Sequence, residues 1–259
     1  MVTDQGWFAL FTAAFGGGLT VKVFEVVYQE YSTWKTRRTD DTRTIDERLE
    51  PLLRAADELV GKLRSLAEQD FTPIHDANVD HLDDTKFASV VYLFVQFWSE
   101  IETARFRGLS TSVARSARGK QTQTFLKCLE SRRVRLIDRI SQRALGEAAL
   151  TDGRTMNFVE FMKGYDSDPY MKRWLKPHLD VLARARESET LQAILQYAVV
   201  VHALIDTLDK GHLVTKNRPA TPNKLNAKSW KDLNYRVFGV YLTFVAHRDK
   251  YIGPPKRRP

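Results

Sequence analysis

At 259 residues the chain is long enough for one large core with an appendage, and its 43% hydrophobic and 28% charged content, with 13 Gly and 9 Pro, excludes a fibrous or disordered polymer. A single cysteine, Cys128, excludes an intramolecular disulfide and, with no Cys/His cluster at zinc-finger spacing, points to a reducing compartment. The net charge of +8 is concentrated: residues 115–143 hold nine Lys or Arg against only Glu130 and Asp138. Such a local surplus suits an anionic surface, whether lipid head groups, nucleic acid or an acidic protein.

The first element is an apolar run. Trp7 to Val21 carries no charged residue, and apolar character resumes through Val27 after Lys22 and Glu25. A bilayer core asks for about 20 residues, which this run reaches if Lys22 extends toward the head groups and pairs with Glu25 one turn on. Trp7 at one end and Tyr28, Tyr31 and Trp34 at the other stand where an aromatic belt belongs. The leader carries Asp4 and no Lys or Arg, which disfavours a cleaved signal peptide. Lys35, Arg37, Arg38 and Arg43 follow directly, so the positive-inside rule places the bulk of the chain in the cytoplasm. Ala13, Ala14, Gly17 and Gly18 form two small-xxx-small pairs that permit close helix packing in lipid. A buried helix of a soluble protein is the competing reading of the same residues.

From Thr44 the pattern changes. Ile45, Leu49, Leu52, Leu53, Ala56, Leu59, Val60, Leu63 and Leu66 recur at three- and four-residue steps and predict an amphipathic helix ending near Gln69. A polar loop with Pro73 and Asn78 follows, then an apolar segment from Phe87 to Ile101, expected as a central core helix. A long helix is expected from about Thr122 to Leu150 and a shorter one from Met156 to Lys163. Pro169 suits the first turn of a helix reaching about Arg186, with a kink or split at Pro177. A second buried helix is expected over Thr190 to Lys210, capped by Gly211, and a last one near Ser229 to His247. No series of alternating β-type runs occurs. The fold class is therefore all-α: a transmembrane helix in residues 1–34, a multi-helix cytoplasmic bundle in 35–247, and a basic mobile tail in 248–259.

Chemistry-bearing motifs are few. The chain has no phosphate-binding glycine loop, no nucleophile elbow and no Glu-x-x-His, so no cofactor or dimetal centre is implied. His75, Asp76, Asp80 and His81 are metal-capable but sit in a polar loop, where such residues serve turns and caps, and no metal site is assigned. His202 and Asp206, one turn apart on a buried helix, suit either a proton-transfer pair or a core histidine with its hydrogen bonds satisfied.

The basic helix carries the most. Arg132, Arg135, Arg139 and Arg143 fall at steps of three, four and four and form one stripe, with Phe125, Leu129, Leu136, Ile137 and Ile140 on the neighbouring face. Guanidinium groups are matched to phosphate, of lipid or of nucleic acid. Ion pairing with neighbouring helices would explain the same stripe. Arg133 faces the apolar side and either calls for a buried carboxylate or marks a contact that the monomer does not satisfy.

Arg173 and His178, in RWLKPH, have the Arg-x4-His spacing of the HEPN family of helical ribonucleases. The resemblance spans six residues, with Trp174 at a position the family keeps polar. It implies metal-independent RNA cleavage. Three functional classes follow: a membrane-anchored, self-associating interaction or effector protein whose partners are membrane lipid and its own copies; a cytoplasmic nucleic-acid-binding protein; or a HEPN-like ribonuclease.

Overall fold

The computed structural model describes residues 49–74, 82–106, 116–220 and 224–253. The chain divides into Met1–Asp46 and Glu47–Pro259, and every described residue belongs to the second unit. The expected membrane helix, with Ala13, Ala14, Gly17 and Gly18, and the group His75, Asp76, Asp80 and His81 lie outside the described residues.

The described part is mostly helical. Helix α1 (49–68) buries the face its spacing prescribes, with Leu52, Ala56, Leu59 and Leu63 essentially inaccessible. A short 3-10 turn, Thr72–Ile74, leads to α2 (Thr85–Phe106), which buries Phe87, Phe94, Phe97, Trp98 and Ile101. Helix α7 (Ser188–Leu208) is the other central element. Trp98 Nε1 donates to the Tyr197 hydroxyl at 2.8 Å, so the two largest core side chains are joined without an orphaned donor. Each fully buried aromatic contributes on the order of 2 kcal/mol through removal from water. Among the described residues α7 alone is long and apolar enough to cross a membrane, but 72% of its most apolar window is buried inside the bundle.

The expected helix over 122–150 is two helices, α3 (Ala117–Leu129) and α4 (Arg139–Ala148). After α4 comes a two-residue hairpin that the helical pattern hid: β1 (Leu150–Thr151) pairs antiparallel with β2 (Arg154–Thr155). Its turn is Asp152-Gly153, with φ of 52° and 73°, which is the left-handed pair such hairpins need.

Helix α5 (Phe158–Ser167) opens on a capping box made by Asn157 and Glu160, and Arg154 adds a forked pair to the same carboxylate. It runs past Lys163, its expected end, and stops at Asp168, which caps α6 (Pro169–Ala183). Pro169 takes the first turn as expected, and α6 continues through Pro177 without a split.

Gly211 is not the cap of α7. The helix ends at Asp209, whose carboxylate accepts from the backbone N–H groups of Leu213, Val214 and Thr215 at 2.9–3.1 Å. The last helix starts as α8 (Ala227–Lys231) and widens into a π-helix, Asp232–Tyr241, stopping short of His247. Residues 248–253, expected to open a mobile tail, are folded instead: α9 (Asp249–Ile252) packs into the fold with Tyr251 and Ile252 buried, and 254–259 lie outside the described residues. The Trp230 indole donates to the Gly253 carbonyl at 2.9 Å and ties the two ends of this region together.

Candidate functional site

The chain leaves α3 at Glu130 and makes one helical turn, in which the backbone N–H groups of Val134 and Arg135 both donate to the Ser131 carbonyl at 3.1 and 3.0 Å. Asp138 then caps α4 by accepting from the Ile140 N–H at 2.8 Å. Val134 and Ile137 turn inward and are buried.

The break brings a buried ion-pair cluster together. Glu130 is only 7% exposed and takes two cations: Arg143 binds it with Nε at 2.8 Å and Nη2 at 2.9 Å, while Arg105 Nη1 reaches both Glu130 and Glu102 at 2.7 Å. In one straight helix, residues 130 and 143 would lie about 20 Å apart along the axis. Their forked contact exists because the chain folds back. Burial pushes the Glu102 carboxyl up, against the opposing pull of Arg105 and Arg143.

Arg132, Arg135, Arg139 and Arg143 therefore do not form a stripe on one helix. Arg143 is held by Glu130, and Arg135 lies 3.7 Å from Asp138. Arg132 and Arg139 are exposed and pair with no acid among the described residues. Arg133, expected to seek a buried carboxylate, is exposed and unpaired in the same sense; the buried carboxylate went to Arg143. Ile140, expected on the buried face, is 67% exposed at the start of α4. The site is thus a turn carrying Arg132, Arg133, Arg139 and Ile140. Ser131 and Asp138, both residues that cap or turn a chain, were the sequence signals for the break.

The HEPN-like pair is not assembled for chemistry. His178 is fully buried, its ring edge-on to Phe94 at 4.8 Å and Trp98 at 4.7 Å, and neither ring nitrogen has a hydrogen-bond partner. Burial pushes its pKa down to about 3, so it is a neutral core side chain out of reach of any RNA. Arg173 is exposed and lies over the Trp174 ring. The cause is helical geometry: α6 turns His178 toward α2 and Arg173 toward solvent.

His178→Phe is expected to leave stability at neutral pH within about 1 kcal/mol of the parent, since apolar replacement of an unsatisfied buried group is close to neutral. In acid the variant gains. The unfolded imidazole protonates below its ordinary pKa of 6.5 and the buried one does not until about 3, so the parent loses stability across that window. Urea unfolding between neutral pH and pH of about 4 measures this, at about 1.4 kcal/mol per pH unit. A constant difference between the two proteins would show that His178 titrates freely.

His202 and Asp206 do meet, but not as a hydrogen-bonded pair. His202 Nε2 lies 3.7 Å from Asp206 Oδ1, both atoms are buried, and neither has a hydrogen-bond partner. The satisfied core histidine expected from the sequence is therefore not what the helix holds. Burial pushes the His202 pKa down, with Asp206 pulling the other way. The remaining groups around Asp206 come from distant parts of the chain and could not be read from spacing. No protein-family model matches this chain, and neither a curated protein nor a solved structure is similar to it.

Proposed function

We propose that the protein is a membrane-anchored, self-associating interaction protein, with its N-terminal apolar run as the anchor and the 131–140 turn of its cytoplasmic bundle docking on the anionic leaflet. The observation that carries the docking part is the exposed Ile140 on the same 131–140 turn as Arg132, Arg133 and Arg139, which are exposed and have no acidic partner among the described residues. An exposed aliphatic side chain and guanidinium groups on one turn suit the boundary between head groups and acyl chains, where the side chain enters the apolar layer and the cations meet phosphate. Nucleic acid is served less well, because an aliphatic side chain offers no stacking surface for a base. Anchoring keeps such a turn at high local concentration near the leaflet, so individually weak contacts suffice.

The test replaces Arg132, Arg133 and Arg139 together by Gln in the full chain and measures its partition onto vesicles containing phosphatidylserine. At about 1 kcal/mol per basic residue, three lost charges should weaken binding by about 100-fold. Ile140→Ser should weaken it further at a given salt concentration. If vesicle binding is unchanged while a steeply salt-dependent affinity for RNA is lost, the nucleic-acid reading replaces this one.

A further inference from the structure

Beyond the end of α7 a cleft of about 400 Å³ opens, lined by Asp206, Lys210, His212, His247 and Lys250, with Phe244 and Tyr251 forming an aromatic wall. That volume is within the range of small-molecule sites. Asp206 organises one side of it. Its Oδ2 accepts from Lys250 Nζ at 2.5 Å and from the Tyr251 hydroxyl at 2.9 Å, and His212 Nε2 lies 3.7 Å from Oδ1. The Asp206 side chain is only 11% exposed, whereas that of Lys250 is 37% exposed. The carboxylate therefore meets the cleft at its inner edge, and the more exposed ammonium keeps donors for the cleft.

The loop after α7 fixes the His212 ring. The Thr215 hydroxyl donates to Asp209 Oδ2 at 2.8 Å, so toward His212 Nδ1, 3.2 Å away, it can only accept. Nδ1 therefore carries a hydrogen, and Nε2 is the ring edge turned toward Asp206. His212 and His247 are also two of the five non-glycine residues with positive φ among those described, at 48° and 53°. Left-handed backbone is costly for a side chain with a β-carbon and is kept where the position is used. Among the described residues no three metal-capable side chains group to hold an ion, and Lys250 already occupies the place beside Asp206 that a metal cation would take.

We propose that this cleft binds a small organic phosphate, its dianionic group between Lys210, Lys250 and His247 and its organic part against Phe244 and Tyr251. Asp206 offsets one of the two ammonium charges, and donors from Lys210, Lys250 and His247 together suit the three oxygens of a phosphate better than the two of a carboxylate. Asp206 is a positioning residue at the inner edge of the cleft: it holds Lys250 and Tyr251 in place through its Oδ2.

Calorimetric titration of the full chain with phenyl phosphate, inorganic phosphate and benzoate tests the proposal. Phenyl phosphate should bind best, inorganic phosphate about tenfold more weakly for want of the aromatic contact, and benzoate more weakly than phenyl phosphate. The Lys210→Gln, His247→Gln double variant, both positions being exposed, should lose affinity by about tenfold or more with its unfolding transition unchanged. Replacing Arg132, Arg133 and Arg139 by Gln should leave phenyl phosphate binding intact. Glycerol 3-phosphate and a short-chain phosphatidic acid, compared in the same way, show whether the soluble or the lipid form of the ester is preferred. The proposal is overturned by benzoate binding as tightly as phenyl phosphate, by an unaffected double variant, by loss of binding in the arginine variant, or by no heat with any of the three compounds.

Discussion

Gly146→Leu is expected to leave no cooperative unfolding transition, and Gly146→Ala to lower stability by about 2 kcal/mol. A β-carbon at this position of α4 would lie 2.8 Å from the Trp98 carbonyl oxygen, 3.0 Å from its carbonyl carbon and 3.1 Å from Glu102 Cγ. Two of these three atoms are backbone of α2, so the strain is relieved only by moving one helix. Trp98 also anchors the core through Tyr197, and a displaced α2 would disturb that hydrogen bond. Alanine regains about 1 kcal/mol of helix propensity over glycine, but overpacking of a rigid contact costs about 3 kcal/mol. Urea unfolding of the full chain followed by circular dichroism decides the matter. An alanine variant as stable as the parent would mean that α2 and α4 do not approach this closely.

Glu130→Ala is expected to cost about 3 kcal/mol, because it removes the one buried carboxylate that Arg105 and Arg143 share and leaves two guanidinium groups partly desolvated. Arg105 retains Glu102, which limits the loss on that side. The same carboxylate gives a pH signature. Burial alone would raise the Glu130 pKa, but the hydrogen bonds from Arg143 and Arg105 outweigh it and hold the group below its ordinary value. An acid depressed in the folded state stabilises above its unfolded pKa, and the contribution disappears as pH falls through the lower folded value. Glu130→Gln should therefore be less stable than the parent at neutral pH, and the gap should close as the solution is acidified below the carboxylate range. A gap that does not change with pH would assign the loss to packing instead of to ionisation. Because this ion pair closes the fold-back between α3 and α4, either substitution should also blunt any binding that depends on the 131–140 turn.

The periodicity of apolar residues by itself determined that the described chain is helical and which helices are central. The nearly all-round apolar stretches from Phe87 to Ile101 and Leu191 to Leu208 admit no surface position, and the three- and four-residue spacing from Leu49 to Leu66 selects one buried face. Pro169 marked a helix start for a reason internal to the residue, its fixed φ and missing donor. Tertiary structure decided the rest, because the deciding contacts lie far apart in sequence or depend on which of two compatible patterns wins. The arginine spacing from 132 to 143 is as regular as a helix demands, yet the chain turns back, and only in that arrangement does Arg143 join Arg105 on the buried Glu130 carboxylate. The Asp152-Gly153 turn was present in the letters but stood inside a region of helical pattern. His178 carried a suggestive spacing whose meaning depended on where α2 packs, and Asp206 gained Lys250 and Tyr251 from 44 and 45 residues away. Spacing along one helix determines which side chains share a face; only packing between helices decides whether that face meets solvent, a counter-charge or an aromatic wall.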